Sequence, residues 1–468
     1  MDSRIPSSPK VDSGNFESQP SNDPKVCRRK AGRKQSQEEP PKNLGNILIK
    51  IVRHLFPKLS NLFKSLPEHR REDKLYYRSS HLIWCGILIF LLHLGSRRQF
   101  RFERKSALFL QNLLRLSQTK EESIADPDTL ADYLEKLPSS HLENIQTSLI
   151  KDLIRKKVLN PYRLDEFFLI AIDGTGQLVY KERHCPHCLT KKTRDGQLIY
   201  YHPVLEGKLV THNGQAFSVV TEFIENPNEF HDKQDCELKA FKRLAVKLKE
   251  KFERTPLCIL GDAIYANQSF FATCKKNGWK FFVTFKEGSM PATYQEALQL
   301  IALAPENKKE IHKEKLDQSF SWVNGLLYEN FSLNLLFCNE KKPDQTLFAW
   351  ITNFDITFSN VQTLANRGGR LRWKIENEGF NIQKNGGYAL EHAFSENPNA
   401  AKNFYFLLQM AHTLNQLMAK STLLDPFEKI LGSLKNFAKR LSESLRNVLI
   451  DPFVLLIPFQ FRFCFNTS

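Results

Sequence analysis

Phe167–Gly176 reads F-F-L-I-A-I-D-G-T-G, six apolar residues that run into one carboxylate, Asp173, with glycine behind it. Leu257–Asp262, L-C-I-L-G-D, repeats the device with Asp262. Apolar runs of this length bounded by glycine predict strands buried on both faces, as at the centre of an α/β sheet. An acid at the carboxyl end of such a strand sits at the sheet rim, where open α/β sheets place their ligands. A third acid, Glu376, lies in the helix-patterned segment L-R-W-K-I-E-N-E-G-F. Two strand-end aspartates and one helix glutamate make an oxygen-rich cage suited to divalent cations.

Working outward, the block 161–288 alternates strand and helix signals. Strand-like runs follow Asp173 at Leu198–Leu205 and Ala216–Ile224. Asp235–Arg254 then carries an apolar stripe at helical spacing, and the strand to Asp262, a helix through Asn277 and the strand Lys280–Phe285 complete the block. The order β-β-β-α-β-α-β with a late helix predicts an α/β fold, an RNase H-like mixed sheet flanked by helices. Short right-handed crossovers would make its first and fourth strands parallel neighbours, with Asp173 and Asp262 side by side. Residues 289–365, with alternating runs at Phe320–Phe337 and Thr346–Phe354, read as a β-rich inserted subdomain. Residues 366–417 hold the final core helices with Glu376. Residues 418–468 read as a C-terminal helical region, with Met410–Leu449 patterned as amphipathic helix.

Ahead of this core, residues 1–42 are rich in Ser, Pro, Lys, Gln and Glu, the composition of a disordered tail. Within it Cys27–Lys34, C-R-R-K-A-G-R-K, is either a solvated basic cluster or a DNA-contacting arm. Residues 43–160 form an N-terminal helical domain. Asn46–Lys64 repeats Ile, Leu and Phe at three- and four-residue steps, and Asp126-Pro-Asp128 resembles a helix start. The basic cluster Arg97, Arg98, Arg101, Arg104 and Lys105 suits a DNA-contacting helical module.

The whole chain, 468 residues with 67 Lys+Arg against 51 Asp+Glu, carries +16. That sign favours a polyanionic partner, because neutralising phosphates releases counterions. Nine cysteines, odd in number and scattered, argue for a reducing compartment and against a disulfide scaffold. The N-terminus shows no apolar stretch of the secretory kind. Leu82–Leu94 is too short for a relaxed membrane span and reads as a buried core helix. The expectation is a cytoplasmic protein without a membrane partner.

Clustered carboxylates repel one another unless cations neutralise them. Two Mg²⁺ ions about 4 Å apart can activate an attacking oxygen and stabilise a leaving one in an in-line phosphoryl displacement. Arg372 and Glu376, four apart, face one side of a helix, and Gln383 falls on the same stripe. Glu378 points the other way, so only one glutamate of the pair joins the site. Arg372 suits a bidentate phosphate contact, and Trp373 either stacks on an unpaired base or fills core.

These residues resemble the DDE transposases of bacterial insertion sequences, in the insertion-sequence-4-like branch with a β-rich insert before the last acid. The resemblance covers about 160 to 417 and rests on A-I-D-G-T-G, D-C-E-L-K-A-F, L-G-D-A-I-Y-A, R-W-K-I-E and Q-K-N-G-G-Y-A-L-E-H. It implies that Asp173, Asp262 and Glu376 are the catalytic, metal-binding triad for two Mg²⁺ or Mn²⁺ ions. The branch signature Y-x2-R-x3-E-x6-K is matched at Arg372 and Glu376; Gly369 stands at the tyrosine place and Gln383 at the lysine place, with Lys384 one step on. The implied activity is nicking at transposon ends, then attack of the freed 3′-hydroxyl on target DNA. The implied partners are terminal inverted repeats, target DNA and further copies of the chain, in a dimer or larger assembly on the bacterial nucleoid. Two competing readings share the fold: an inactive or repurposed DNA-binding protein, and a structure-specific nuclease.

His184-Cys-Pro-His-Cys188 offers a C-x2-C. Cys185, Cys188, His187 and His202 are candidate zinc ligands; the alternative is a plain surface loop. Lys286, just past the last core strand, is either a phosphate contact or a solvated lysine. No G-x-x-x-x-G-K-[ST] loop and no nucleophile elbow occurs, which argues against nucleotide hydrolysis and serine chemistry.

Overall fold

The computed structural model describes residues 43–463 apart from 229, 314–315, 342–344, 428–432 and 457–459. The expected tail over residues 1–42, with its basic cluster, lies outside the described residues, as does Cys464.

Strand β1, Phe168–Tyr180, is the axis of the molecule. Its first residues are apolar and buried on both faces, which only a central position satisfies. Around it a ten-stranded mixed sheet forms from β2 (Leu189–Lys192), β3 (Leu198–Thr211), β4 (Gln215–Phe223), β5 (Leu257–Gly261), β6 (Lys280–Thr284), β7 (Lys308–Lys313), β8 (Leu316–Tyr328), β9 (Phe331–Lys341) and β10 (Gln345–Thr352). The order is β2-β3-β1-β5-β6-β10-β9-β8-β7, with β4 also on β3, in line with β2. The pairs β1–β3 and β3–β4 are antiparallel, whereas β1–β5 and β5–β6 are parallel. The expected parallel neighbours, first and fourth of the core, are β1 and β5.

The β-rich run supplies β7 to β10, and because β10 pairs antiparallel with β6 these strands prolong the core sheet. One sequence expectation changes here: β1 does not end at Asp173 but continues to Tyr180.

The N-terminal helices are α1 (Leu44–Leu55), α2 (Leu59–Lys64), α3 (Ser79–Leu91), α4 (Arg97–Glu103), α5 (Ala107–Ser117), α6 (Pro127–Lys136) and α7 (Ser139–Arg155). The run Asn46–Lys64 is thus broken between α1 and α2, where Pro57 denies a backbone donor. All of α3 is buried, as expected for a core helix. The Asp126 side chain caps α6 by accepting from Asp128 N at 3.0 Å. The basic cluster on α4 is partly neutralised: Arg101 reaches Asp128 at 2.6 Å, Arg104 reaches Asp126 at 2.6 Å, and Arg97 is 3.4 Å from Asp128. Arg98 and Lys105 face solvent.

After β4 come α8 (Glu237–Lys251), α9 (Gln268–Asn277), α10 (Pro291–Leu303) and α11 (Val361–Arg367). A tight turn, Gly369–Trp373, then leads to a widened helical turn, Ile375–Asn381, and the short α12, Ile382–Asn385. The segment read as one amphipathic helix is two helices, α13 (Pro398–Ala419) and α14 (Leu434–Asn447). α13 is buried nearly all round because it packs on α3, α6, α7 and β4 at once. Its Asn403 donates to the carbonyls of Leu134 (2.8 Å) and Leu137 (2.7 Å), which end α6 without helical partners. Asn399 Nδ2 shares both acceptors, at 3.1 and 2.7 Å, so Asn403→Ala leaves neither orphaned and should cost about 0.5–1.5 kcal/mol, which denaturant melts would measure. Among the described residues no helix is long and apolar enough to cross a membrane.

Candidate active site

The site exists because β5 stops early. The β1–β5 ladder runs from Phe168↔Leu257 to Ala171↔Leu260 and ends there. β5 breaks off because the Asp262 carboxylate accepts from Ile264 N at 3.1 Å and starts a one-turn helix, Ala263–Tyr265. β1 continues with only β3 beside it, so one margin of β1 opens at Asp173. Both acids follow the ends of that ladder, Asp173 two residues past Ala171 and Asp262 two past Leu260, so they share one rim of the sheet.

Glu376 arrives from the widened turn, which packs on β1, β3 and β4. Arg372 is 5% exposed, and its Nη1 donates to Glu376 Oε1 at 2.8 Å and Asp173 Oδ2 at 3.3 Å. The guanidinium therefore bridges two of the three predicted acids. Burial, then the adjoining Glu376 carboxyl, raises the Asp173 pKa to about 7, although Arg372 pulls the other way. Asp173 is the acid with the most to gain from a further cation.

Sequence reading missed a fourth carboxylate. Glu237 stands in the first turn of α8 and accepts from the Tyr265 hydroxyl at 2.8 Å. A Cβ on Gly174 would meet Glu237 Oε2 at 2.8 Å, so glycine next to Asp173 is what lets this acid approach. Burial raises the Glu237 pKa, with the Asp262 charge adding to the rise against the Tyr265 hydrogen bond. The available signal was its place: an acid opening the helix that follows the third core strand. Glu376, Asp173, Glu237 and Asp262 thus form a chain of hard oxygen donors. Among the described residues no three of them close to the spacing of a single-ion cage.

The other predicted contacts divide. Trp373 is 48% exposed beside the acids, with the Arg372 guanidinium 4.2 Å from its ring centroid, so it is not core. Lys286 is exposed just beyond β6. Lys384 is ion-paired with Glu391 at 2.8 Å. Glu378 turns aside to Lys374 at 2.9 Å, as its spacing from Glu376 predicted. Gln383 does not share the Arg372–Glu376 stripe. It is buried on α13, donating to Gln409 at 2.8 Å with His412 Nδ1 at 2.9 Å. The cause is the widened turn, whose i→i+5 hydrogen bonding rotates later side chains out of α-helical phase. Gly369 is fixed by packing, since a Cβ there would lie 2.6 Å from the Trp350 ring.

Of the candidate zinc ligands, Cys185, Cys188 and His202 gather with donor atoms within 4.8 Å of one another. His187 does not join them; its Nδ1 is 2.8 Å from the Asn226 carbonyl oxygen. No protein-family model matches the chain, and no curated protein does.

Proposed function

We propose that this protein is a DDE-type DNA transposase that nicks the inverted repeats at its element's ends and joins the freed 3′-hydroxyls to target DNA. The carrying observation is the meeting of Asp173 and Glu376 around one cationic group, at the open margin of β1 where Asp262 ends the neighbouring strand. The strand order β4-β3-β1-β5-β6, with its antiparallel then parallel pairings, also supports the reading, because it is the order of an RNase H-like core.

Asp173, Glu376 and Asp262 would hold Mg²⁺ or Mn²⁺, and their all-oxygen chemistry fits such hard cations. The bound ions would supply charge stabilisation of the scissile phosphate and activation of the attacking oxygen. The chain's own groups do the rest. Arg372 holds Asp173 and Glu376 together against their mutual repulsion. Exposed Trp373 offers a stacking face to an unpaired base, and Lys286 offers charge to the backbone. Glu237 adds field without blocking the margin. Glu237→Gln should weaken Mg²⁺ binding about tenfold, a loss of roughly 1.4 kcal/mol from one nearby charge. Calorimetric titration would read it; an unchanged affinity would remove Glu237 from the site.

The decisive assay uses the DNA flanking the gene. Full-length protein with Mg²⁺ should nick its own terminal repeats and not scrambled ends. A second reading has one observation in its favour: Arg372, Gly369 and Gln383 are locked by packing, as in a DNA-binding protein that no longer cuts. Specific binding of the ends without nicking would establish that reading. Cutting of branched DNA regardless of end sequence would make it a structure-specific nuclease.

A further inference from the structure

Past the acids, β1 runs on to a second cluster that the proposed chemistry does not use. We propose that Cys185, Cys188 and His202 bind one zinc ion that clamps the β1–β2 connection to β3. Cys185 Sγ and Cys188 Sγ are 3.6 Å apart, and His202 Nε2 lies 3.4 Å from the first sulfur and 3.2 Å from the second. A tetrahedral ion about 2.3 Å from sulfur and about 2.05 Å from imidazole nitrogen has edges of about 3.8 Å and about 3.6 Å. All three observed separations fall short of those edges by at most about 0.4 Å, so small shifts of the side chains admit the ion.

The surroundings match what a zinc histidine needs. With Nε2 facing the sulfurs, Nδ1 carries the proton, and it faces Glu225 Oε1 at 4.0 Å. At that distance the carboxylate acts through its charge; closing by about 1 Å would give the hydrogen bond that fixes the tautomer of a ligating imidazole and raises its basicity. Glu225 is itself held by Lys402 of α13 at 2.6 Å. The turn bearing the thiols is fastened by Asn226, whose Nδ2 donates to the Cys188 carbonyl at 2.8 Å and whose own carbonyl faces His187. Cys188 is fully buried. On binding, each thiol gives up its proton to solvent and zinc takes the two thiolates and the neutral imidazole, leaving one coordination position for water.

Three protein ligands and a water make an open site, but its place keeps the ion apart from the proposed chemistry. His202 pairs in register with Leu178, five residues along β1 from Asp173. At about 3.3 Å per residue that is roughly 16 Å, too far for the ion to touch a phosphate held at the acids.

The test is metal content. Full-length protein purified without chelator should carry one zinc per chain, and Asp173→Asn should carry the same. Cys185→Ser and His202→Gln should lose it, and Glu225→Gln should weaken it about 10–100-fold. If the buried Cys188→Ser variant fails to fold, cobalt titration of the zinc-free wild type serves instead, read by thiolate-to-cobalt charge transfer and tetrahedral d–d absorption. Folded wild type that takes up neither metal overturns the proposal. So does zinc retained in the Cys185→Ser/Cys188→Ser variant, or a thiol count showing the two cysteines joined as a disulfide.

Discussion

Asp173→Asn is expected to abolish Mg²⁺-dependent nicking, by a thousandfold or more, and at the same time to stabilise the protein in magnesium-free buffer at pH 8. The first effect follows from losing several kcal/mol of metal-borne transition-state stabilisation, at about 1.4 kcal/mol per tenfold. The second follows from the raised carboxyl pKa, about 7 when folded, against about 3.9 when unfolded. Between those values the unfolded chain has released its proton and the folded chain has not, so stability falls as pH rises through that window. Above pH 7 the penalty is constant, at most about 4 kcal/mol. Asparagine has no proton to lose and escapes it. Thermal melts at pH 4 and pH 8 should therefore show matched stabilities at the lower pH and a more stable variant at the higher. Mg²⁺ should then stabilise the wild type and leave the variant unmoved. Full activity in the variant would dismiss the catalytic role. Matched melts at both pH values would dismiss the electrostatic account.

Lys208→Met should destabilise the fold by about 3–5 kcal/mol, the cost of breaking a buried ion pair from one side. Lys208 and Glu206 are both 0% exposed and lie 3.3 Å apart on β3. Lys208 Nζ also donates to Gln409 at 2.8 Å, and Ser218 and Thr221 hydroxyls donate to Glu206. The lysine stem would lie 3.0 Å from a Cβ at Gly379, directly under the widened turn that carries Glu376. Methionine keeps that stem in place, so nicking should fall only as far as the folded fraction does. Urea melts would give the stability, and a Lys208→Met/Glu206→Gln cycle would recover much of the loss if the unpaired charge is its source. A loss no larger in the single variant than in the double would point to packing alone.

The strands bearing Asp173 and Asp262 were legible because short apolar runs have no other good home than a sheet centre. Their adjacency followed from short right-handed connections. What stayed hidden depends on tertiary context. β2, L-T-K-K, is four residues of mixed polarity that become strand only because β3 offers a partner. The phase of Gln383 depends on a single widened turn, which no i, i+4 pattern announces. The α13 surface looks amphipathic because Asn403, Gln409 and His412 are polar, yet each serves a buried partner rather than solvent. The basic cluster of α4 was readable as charge but not as charge already engaged by Asp126 and Asp128. Glu237 was in plain sight as a residue, and invisible as a neighbour of Asp173 until α8 was laid against β3.

The sheet's far boundary is β7, K-K-E-I-H-K, paired among the described residues with β8 alone. A row of unpaired backbone groups invites a second molecule to add its own strand, and lysines on such a margin oppose that stacking by repulsion. Copies of this protein are thereby steered away from assembling through continuous β-structure. Under the proposed reading, self-association would then fall to surfaces whose positive charge a shared polyanion cancels, and assembly would follow DNA binding.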